Sequence, residues 1–270
     1  MTTPLNNDHV NEAAWQSVFS DTVAALFNAQ VSTAHNASAL KAVLFDLDGT
    51  LIDSVPDIAA ATDSMLESIG MAPAGEVKVN RWVGNGAAAL VKRALLNDDL
   101  GDELHQQNFP NEADDPAYVH AYARFESAYE QRLTAATGLY ADVEHVLDRL
   151  RGAGMKMALI TNKPRRFAVP LLAALKIDHH FSCVLCGDDL PHKKPHPLPV
   201  QTALKALGVE AHEALMVGDS ISDVKSAYLA GVKSVAVTYG YNHGLAITDA
   251  GNEMQADVFI DAIKQLIVNS

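Results

Sequence analysis

The sequence predicts an α/β fold, a doubly wound parallel sheet with a separate helical unit inserted after its first strand. Three observations predict it. From Lys41 onward, strand-like segments at 42–46, 155–160, 181–186, 214–217 and 234–238 alternate with helical stretches at 142–152, 167–176, 199–208 and 222–230. That rhythm is the one right-handed crossovers impose when helices cover both faces of a parallel sheet. Over a hundred residues separate Asp46 from the next strand, whereas a compact crossover needs about 30, so the excess forms a unit of its own. Finally, several strands end in residues able to do chemistry, and the carboxyl edge is where open α/β sheets hold ligands.

The elements follow in order. Residues 1–40 begin polar, then place Trp15, Phe19, Val23, Leu26 and Phe27 at helical spacing before the small polar run Ser32 to Ser38. This is an amphipathic helix on a linker, expected to pack on the main body or on a second subunit of a homodimer, with a loose tail as the alternative. The same residues contain no Lys or Arg, so they lack the basic start of a secretory signal and the arginines of a transit peptide. No stretch reaches the apolar length of a membrane span, and the expected location is cytoplasmic. The inserted unit carries helical segments near 56–69, 86–97 and 116–135, with a break from Pro110 to Pro116. Ser54-Val55-Pro56-Asp57 opens it as a helix start, with Ser54 as N-cap, Pro56 in the first turn and Asp57 closing a capping box.

Composition narrows the partners. Apolar residues make up 49% of the 270, enough for one substantial core and a second small unit. Lys plus Arg number 20 against 33 Asp plus Glu, a net charge of −13. That argues against nucleic acid and against an anionic membrane, but not against a phosphate substrate, since one cation and a lysine reverse the potential locally. The two cysteines, Cys183 and Cys186, lie three apart in a strand-like segment and therefore face opposite sides of the sheet; a disulfide scaffold is not indicated.

Four strand ends carry the chemistry. Ala42-Val43-Leu44-Phe45 runs into Asp46-Leu47-Asp48-Gly49-Thr50, two carboxylates two residues apart that concentrate negative charge suited to a hard cation such as Mg²⁺. Met157-Ala158-Leu159-Ile160 ends in Thr161-Asn162-Lys163-Pro164, a hydroxyl and loop amides placed to hold phosphate oxygens. Pro191 to Pro197 is a stiff loop that aims a lysine inward, Lys194 or its neighbour Lys193. Leu215-Met216-Val217-Gly218 leads to Asp219, with Asp223 about one helical turn later, so that both approach the same ion. A parallel sheet gathers all four along one edge.

With these residues in place, the chain resembles the haloacid dehalogenase superfamily of aspartyl-phosphate phosphatases from about residue 41 to 268. The likeness rests on Asp46-Leu47-Asp48-Gly49-Thr50, Ile160-Thr161-Asn162, Lys194-Pro195, and Gly218-Asp219 with Asp223. Within the superfamily, Asp48-Gly49-Thr50-Leu51-Ile52-Asp53-Ser54, Val83-Gly84-Asn85-Gly86, Thr161-Asn162-Lys163-Pro164, Pro197-Leu198-Pro199 and Thr238-Tyr239-Gly240-Tyr241 make it similar to the bacterial phosphoglycolate phosphatase group. The resemblance implies a Rossmann-like core of residues 41–55 and 138–270, an inserted α-helical cap domain of residues 56–137, and an N-terminal extension of residues 1–40. It makes Asp46 the nucleophile that forms a phosphoaspartate, and Asp48 the residue that protonates the leaving oxygen and then activates water. Thr161, Asn162 and Lys194 would bind the phosphoryl group, and Asp46, Asp48 through its carbonyl, Asp219 and Asp223 would hold Mg²⁺. The cap loop Gly84-Asn85-Gly86 would meet a substrate carboxylate with its N–H groups.

The expected activity is hydrolysis of a small phosphorylated metabolite, 2-phosphoglycolate to glycolate and phosphate. A sugar-phosphate phosphatase, a phosphomutase using the same phosphoaspartate, and a non-catalytic regulatory binding protein are the alternatives. His196 and the first forty residues depart from the family pattern.

Overall fold

In a computed structural model, the structure describes residues 17–28, 40–97, 115–249 and 255–268. The chain runs through α1 (Asp21–Asn28), β1 (Ala42–Phe45), β2 (Ile52–Asp53), α2 (Val55–Ser68), α3 (Glu76–Trp82), α4 (Ala87–Leu96) and α5 (Pro116–Glu130). It continues with β3 (Gly138–Leu139), α6 (Val143–Gly152), β4 (Lys156–Ile160), α7 (Arg165–Ala174), β5 (Cys183–Leu185), α8 (Leu198–Leu207), β6 (Ala214–Gly218), α9 (Ile221–Leu229), β7 (Lys233–Val237) and β8 (Val258–Ile260).

Six strands form one parallel sheet in the order β5-β4-β1-β6-β7-β8. All four residues of β1 are buried apolar groups, as a strand covered on both faces requires. Alternation then sorts the strand residues between two cores. Val43, Phe45, Met157, Leu159, Leu215 and Val217 face α1, α6 and α7, while Ala42, Leu44, Ala158, Ile160, Ala214 and Met216 face α8 and α9. The chain builds outward from β1 to β4 and β5, then returns to build β6, β7 and β8 on the other side. The reversal falls at β1, so the residues after Phe45 stand at the topological switch point where such sheets bind ligands. This is the doubly wound fold expected.

Of the fates expected for the first helix, the structure shows packing on the body. Phe19, Val23, Ala24 and Phe27 join the core beside Ile263, Leu266 and Ile267, and main-chain bonds from Ser20 N to Leu266 O (3.2 Å) and Val268 N to Val18 O (2.7 Å) tie the two chain segments. Trp15 and the Ser32–Ser38 run lie outside the described residues. Because Phe19 is wholly buried, Phe19→Ala should destabilise the protein by about 3–5 kcal/mol, read as a lower urea midpoint with unchanged slope.

The inserted helices α2 to α5 enclose a core of their own, built on Ile58, Met65, Leu66, Val79, Trp82, Leu90, Val91, Phe125 and Tyr129, to which Phe167 and Tyr241 of the sheet body are added. The chain leaves for these helices along β2 and returns along β3, an antiparallel pair with Ile52 opposite Leu139 and Asp53 opposite Gly138. Here the expected capping box is corrected. The Ser54 hydroxyl makes no cap bond to α2 and is drawn instead to the carboxylate of Asp48, 2.5 Å away. Asp57, fully buried, accepts from Ala136 N (2.8 Å), Thr137 N (2.7 Å) and Thr137 Oγ1 (2.8 Å). A buried carboxylate gathers the donors of the returning chain in preference to a single N–H at a helix end.

Four short elements carried too little pattern to be seen in the sequence. α3 buries only Val79 and Trp82 and leaves Val77 exposed; β8 and the β2–β3 pair are three and two residues long. The Pro110 break lies outside the described residues. Cys183 and Cys186 are free thiols that pack into the two opposite cores.

Candidate active site

β1 delivers Asp46 to the switch point, where its N–H continues the ladder to Val217 O at 3.0 Å. The backbone then turns through Gly49 at φ +87°, where a β-carbon would stand 2.1 Å from Asp219 Oδ2, so both conformation and space exclude a side chain. Thr50 Oγ1 donates to Asp219 Oδ1 at 3.0 Å, and Tyr241 N donates to Asp219 Oδ2 at 2.5 Å. The Thr50 hydroxyl therefore orients a carboxylate.

Asp46, Asp219 and Asp223 are all buried, and each offers a carboxylate oxygen within 4.8 Å of the others. Asp223 sits at the third residue of α9, where its Oδ2 accepts from Ser220 N (3.1 Å) and Ser220 Oγ (2.7 Å), closing the helix's capping box. That leaves Oδ1 turned to the site. Lys194 Nζ binds Asp46 Oδ1 at 2.7 Å, Asp223 Oδ1 at 2.6 Å and Ile160 O at 2.6 Å. Lys193 points elsewhere, to Asn85 O at 2.6 Å. Of the two lysines, geometry puts Lys194 in the carboxylate cluster.

Burial would lower the Lys194 ammonium, but Asp223 and Asp46 override it and hold the group above the usual lysine value. Burial also lifts the Asp46 carboxyl to about 7, against the pull of Lys194. Asp219 is held well above the usual carboxylate range by burial and by Asp46 and Asp223. Three carboxylates facing one ammonium leave two negative charges unbalanced, and all the donors are hard oxygens. The set fits a divalent cation such as Mg²⁺.

A pH dependence follows. Between its unfolded value near 3.8 and about 7, Asp46 carries a proton in the metal-free fold that it lacks when unfolded. This group's contribution to metal-free stability therefore declines as pH rises through that window and is constant above it. Binding of Mg²⁺ displaces protons from Asp46 and Asp219, so affinity should fall as the pH is lowered. Calorimetric titrations across that range check it; an affinity indifferent to pH contradicts it.

Asp48 stands apart from the three-carboxylate cluster. Its Oδ1 accepts from Ser54 Oγ (2.5 Å) and from Lys163 Nζ (2.9 Å), and Lys163 lies over the Tyr129 ring, 4.9 Å from its centroid. Burial would lower the Lys163 ammonium, but the charge of Asp48 keeps it high. Thr161 is buried beside them, its hydroxyl accepting from Lys163 N at 3.1 Å. Together Asp46, Asp48, Thr161, Asn162 and Lys163 form one wall of a cleft with about 490 Å³ of empty space, its solvent mouth included. The facing wall comes from the inserted helices: Ile58, Val83, Gly84, Gly86, Ala87, Leu90, Phe125 and Tyr129.

The Gly84-Asn85-Gly86 turn leads into α4 and is clasped by the sheet body. Asn162 Nδ2 donates to Gly84 O at 3.1 Å and to Lys194 O at 3.0 Å, and Lys193 holds Asn85 O. Gly86, at φ +86°, leaves no room for a β-carbon, which would approach Asn162 O to 2.9 Å. The structure thus engages the Asn162 amide with main-chain carbonyls and leaves its buried Oδ1 without a partner among the described residues. The site contacts of Ser54, Lys163 and the loop amide of Tyr241 escaped sequence reasoning, although all three lie in segments that carried the resemblance.

Residues 43–237 match the haloacid dehalogenase-like hydrolase family. The chain belongs to that family. This hydrolase is 44% identical over 225 residues to phosphoglycolate phosphatase 1 of Pseudomonas aeruginosa, covering 82% of this chain and 78% of the relative. It is 41% identical to the phosphoglycolate phosphatase of Nitrosococcus oceani, across 83% of this chain and 95% of that one. Among solved structures, a predicted phosphoglycolate phosphatase of Haemophilus somnus 129PT superposes with a TM-score of 0.72 at 34% identity, covering 83% and 94% of the two chains. Among the described residues of the hydrolase, no helix is long and apolar enough to cross a membrane.

Proposed function

We propose that this hydrolase is a Mg²⁺-dependent phosphatase of small phosphomonoesters that converts 2-phosphoglycolate to glycolate and phosphate through a phosphoaspartate on Asp46. The observation that carries the reading is Lys194, which spans Asp46 and Asp223 in a buried carboxylate cluster whose Asp46 lines the cleft. The names of the relatives support the substrate.

In this reading Asp46 attacks phosphorus, and the ester oxygen leaves with a proton from Asp48. Water then attacks the acyl phosphate, Asp48 takes the water's proton, and Asp46 regains its carboxylate as phosphate departs. Lys194 and Thr161 hold the equatorial phosphoryl oxygens, with Asn162 fixing the loop that carries Thr161. Mg²⁺, held by Asp46, Asp219 and Asp223 with the Asp48 carbonyl, would offset charge on those oxygens. Residues 56–137 serve as the cap of a core made of 41–55 and 138–270, and Gly84-Asn85-Gly86 contributes N–H groups toward the substrate's far end. The N-terminal residues 1–40 are an extension whose helix stabilises the core. A cytoplasmic location belongs to the same proposal.

Comparing kcat/KM for 2-phosphoglycolate, hexose phosphates and pyrophosphate in the presence of Mg²⁺ tests the reading. The largest value is expected with 2-phosphoglycolate; no phosphate release from any of them by folded protein would overturn it. Sugar-phosphate isomers among the products would favour the phosphomutase.

A further inference from the structure

We infer that Lys163 is the specificity-determining residue of this site, the cation that receives the carboxylate of the phosphorylated substrate. The inference rests on the function proposed above. Its ground is the position of one buried ammonium in the cleft wall. Among the described residues lining the cleft, Lys163 is the only cationic one, and the rest are Asp46, Asp48 and uncharged groups. Lys194 serves the carboxylate cluster and Lys193 the cap turn, so neither fills this place.

Reach follows from the chemistry. Asp48 must touch the ester oxygen to protonate it, and Lys163 Nζ lies 2.9 Å from Asp48 Oδ1. In 2-phosphoglycolate the carboxylate carbon is only two bonds beyond that oxygen. A substrate seated with phosphorus at Asp46 therefore brings its carboxylate beside Lys163. The ammonium is also prepared for a second acceptor: it carries three N–H donors, and among the described residues only Asp48 Oδ1 accepts from it. The Tyr129 ring braces it from the cap side. The Tyr129 hydroxyl, buried in the facing wall, has no hydrogen-bond partner among the described residues, as expected of a group awaiting a polar ligand. A lysine kept only to orient Asp48 would need neither the open donors nor the cleft frontage.

Ethyl phosphate, which carries a methyl group where 2-phosphoglycolate has its carboxylate, is the discriminating probe. Any loss from a misplaced Asp48 is common to both esters and cancels in their ratio of kcat/KM. Lys163→Met should lower the preference for 2-phosphoglycolate about 10- to 100-fold, the worth of one charge-assisted hydrogen bond. Lys163→Gln, which keeps an N–H donor for Asp48 without the charge, should lose the preference equally. Dissociation constants of the two esters measured in an Asp46→Asn background, where turnover is removed, should show the same change in ratio. An unchanged ratio in kinetics and binding overturns the inference while leaving the proposed function intact. A wild-type enzyme without preference for 2-phosphoglycolate over ethyl phosphate would instead remove the substrate reading, and the inference with it.

Discussion

Asp46→Asn should abolish turnover, by about 10⁵-fold or more, while the protein stays folded. The amide has the shape of the carboxylate and keeps an oxygen for Lys194 Nζ, which now sits 2.7 Å from Asp46 Oδ1. It lacks the negative charge that attacks phosphorus, and no neighbour replaces it: Asp219 is engaged by Thr50 and Tyr241, and Asp223 by Ser220 and Lys194. Burial already disfavours the charged form of Asp46, so removing that charge relieves the fold. The melting temperature should hold or rise. Phosphate release and thermal denaturation on the same preparation check both halves; a rate near that of the wild type would refute the nucleophile.

Lys194→Met should cost about 10³-fold in kcat/KM and also destabilise the protein. Among the described residues its ammonium is the one positive charge bound to two of the three carboxylates, and it further caps the β4 carbonyl of Ile160. Without it the Asp46 carboxyl, already at about 7, loses the influence that lowers it and moves higher. In the metal-free protein the nucleophile then holds its proton more tightly, and Mg²⁺ and substrate must displace it. The pH–rate profile distinguishes this from simple misfolding: activity lost near pH 7 should recover partly toward alkaline pH. Uncompensated charge in a buried pair costs about 3–5 kcal/mol, softened here because Asp46 can take up a proton. A variant with wild-type rate and an unshifted profile would contradict the role given to Lys194.

How much of this was legible in the sequence depends on the length of the pattern. β1, β4, β6 and β7 are apolar runs ending in polar residues, and their order along the chain placed Asp46, Thr161 and Asp219 on one sheet edge before any coordinates. β8, three residues long, and α3, with two inward side chains, had no such signal. The choice between Lys193 and Lys194 was equally closed to sequence reasoning, because adjacent residues differ only in direction. Asp57 shows a different limit. Its spacing from Ser54 suits a capping box, yet the carboxylate serves the returning chain at Ala136 and Thr137, some eighty residues away in sequence. Lys163 was visible in the strand-end motif, but the partner that gives it meaning, Asp48, is brought to it only by the fold.

The central claim, that Asp46 carries the phosphoryl group, has a direct test. Wild-type protein is mixed with Mg²⁺ and 2-phosphoglycolate, quenched in acid within its first turnover and examined by peptide mass spectrometry. One phosphoryl group on the peptide containing Asp46, assigned to that residue by fragmentation, is the predicted result. Release of glycolate with no phosphoryl group on the protein, or with it on another residue, would contradict the account.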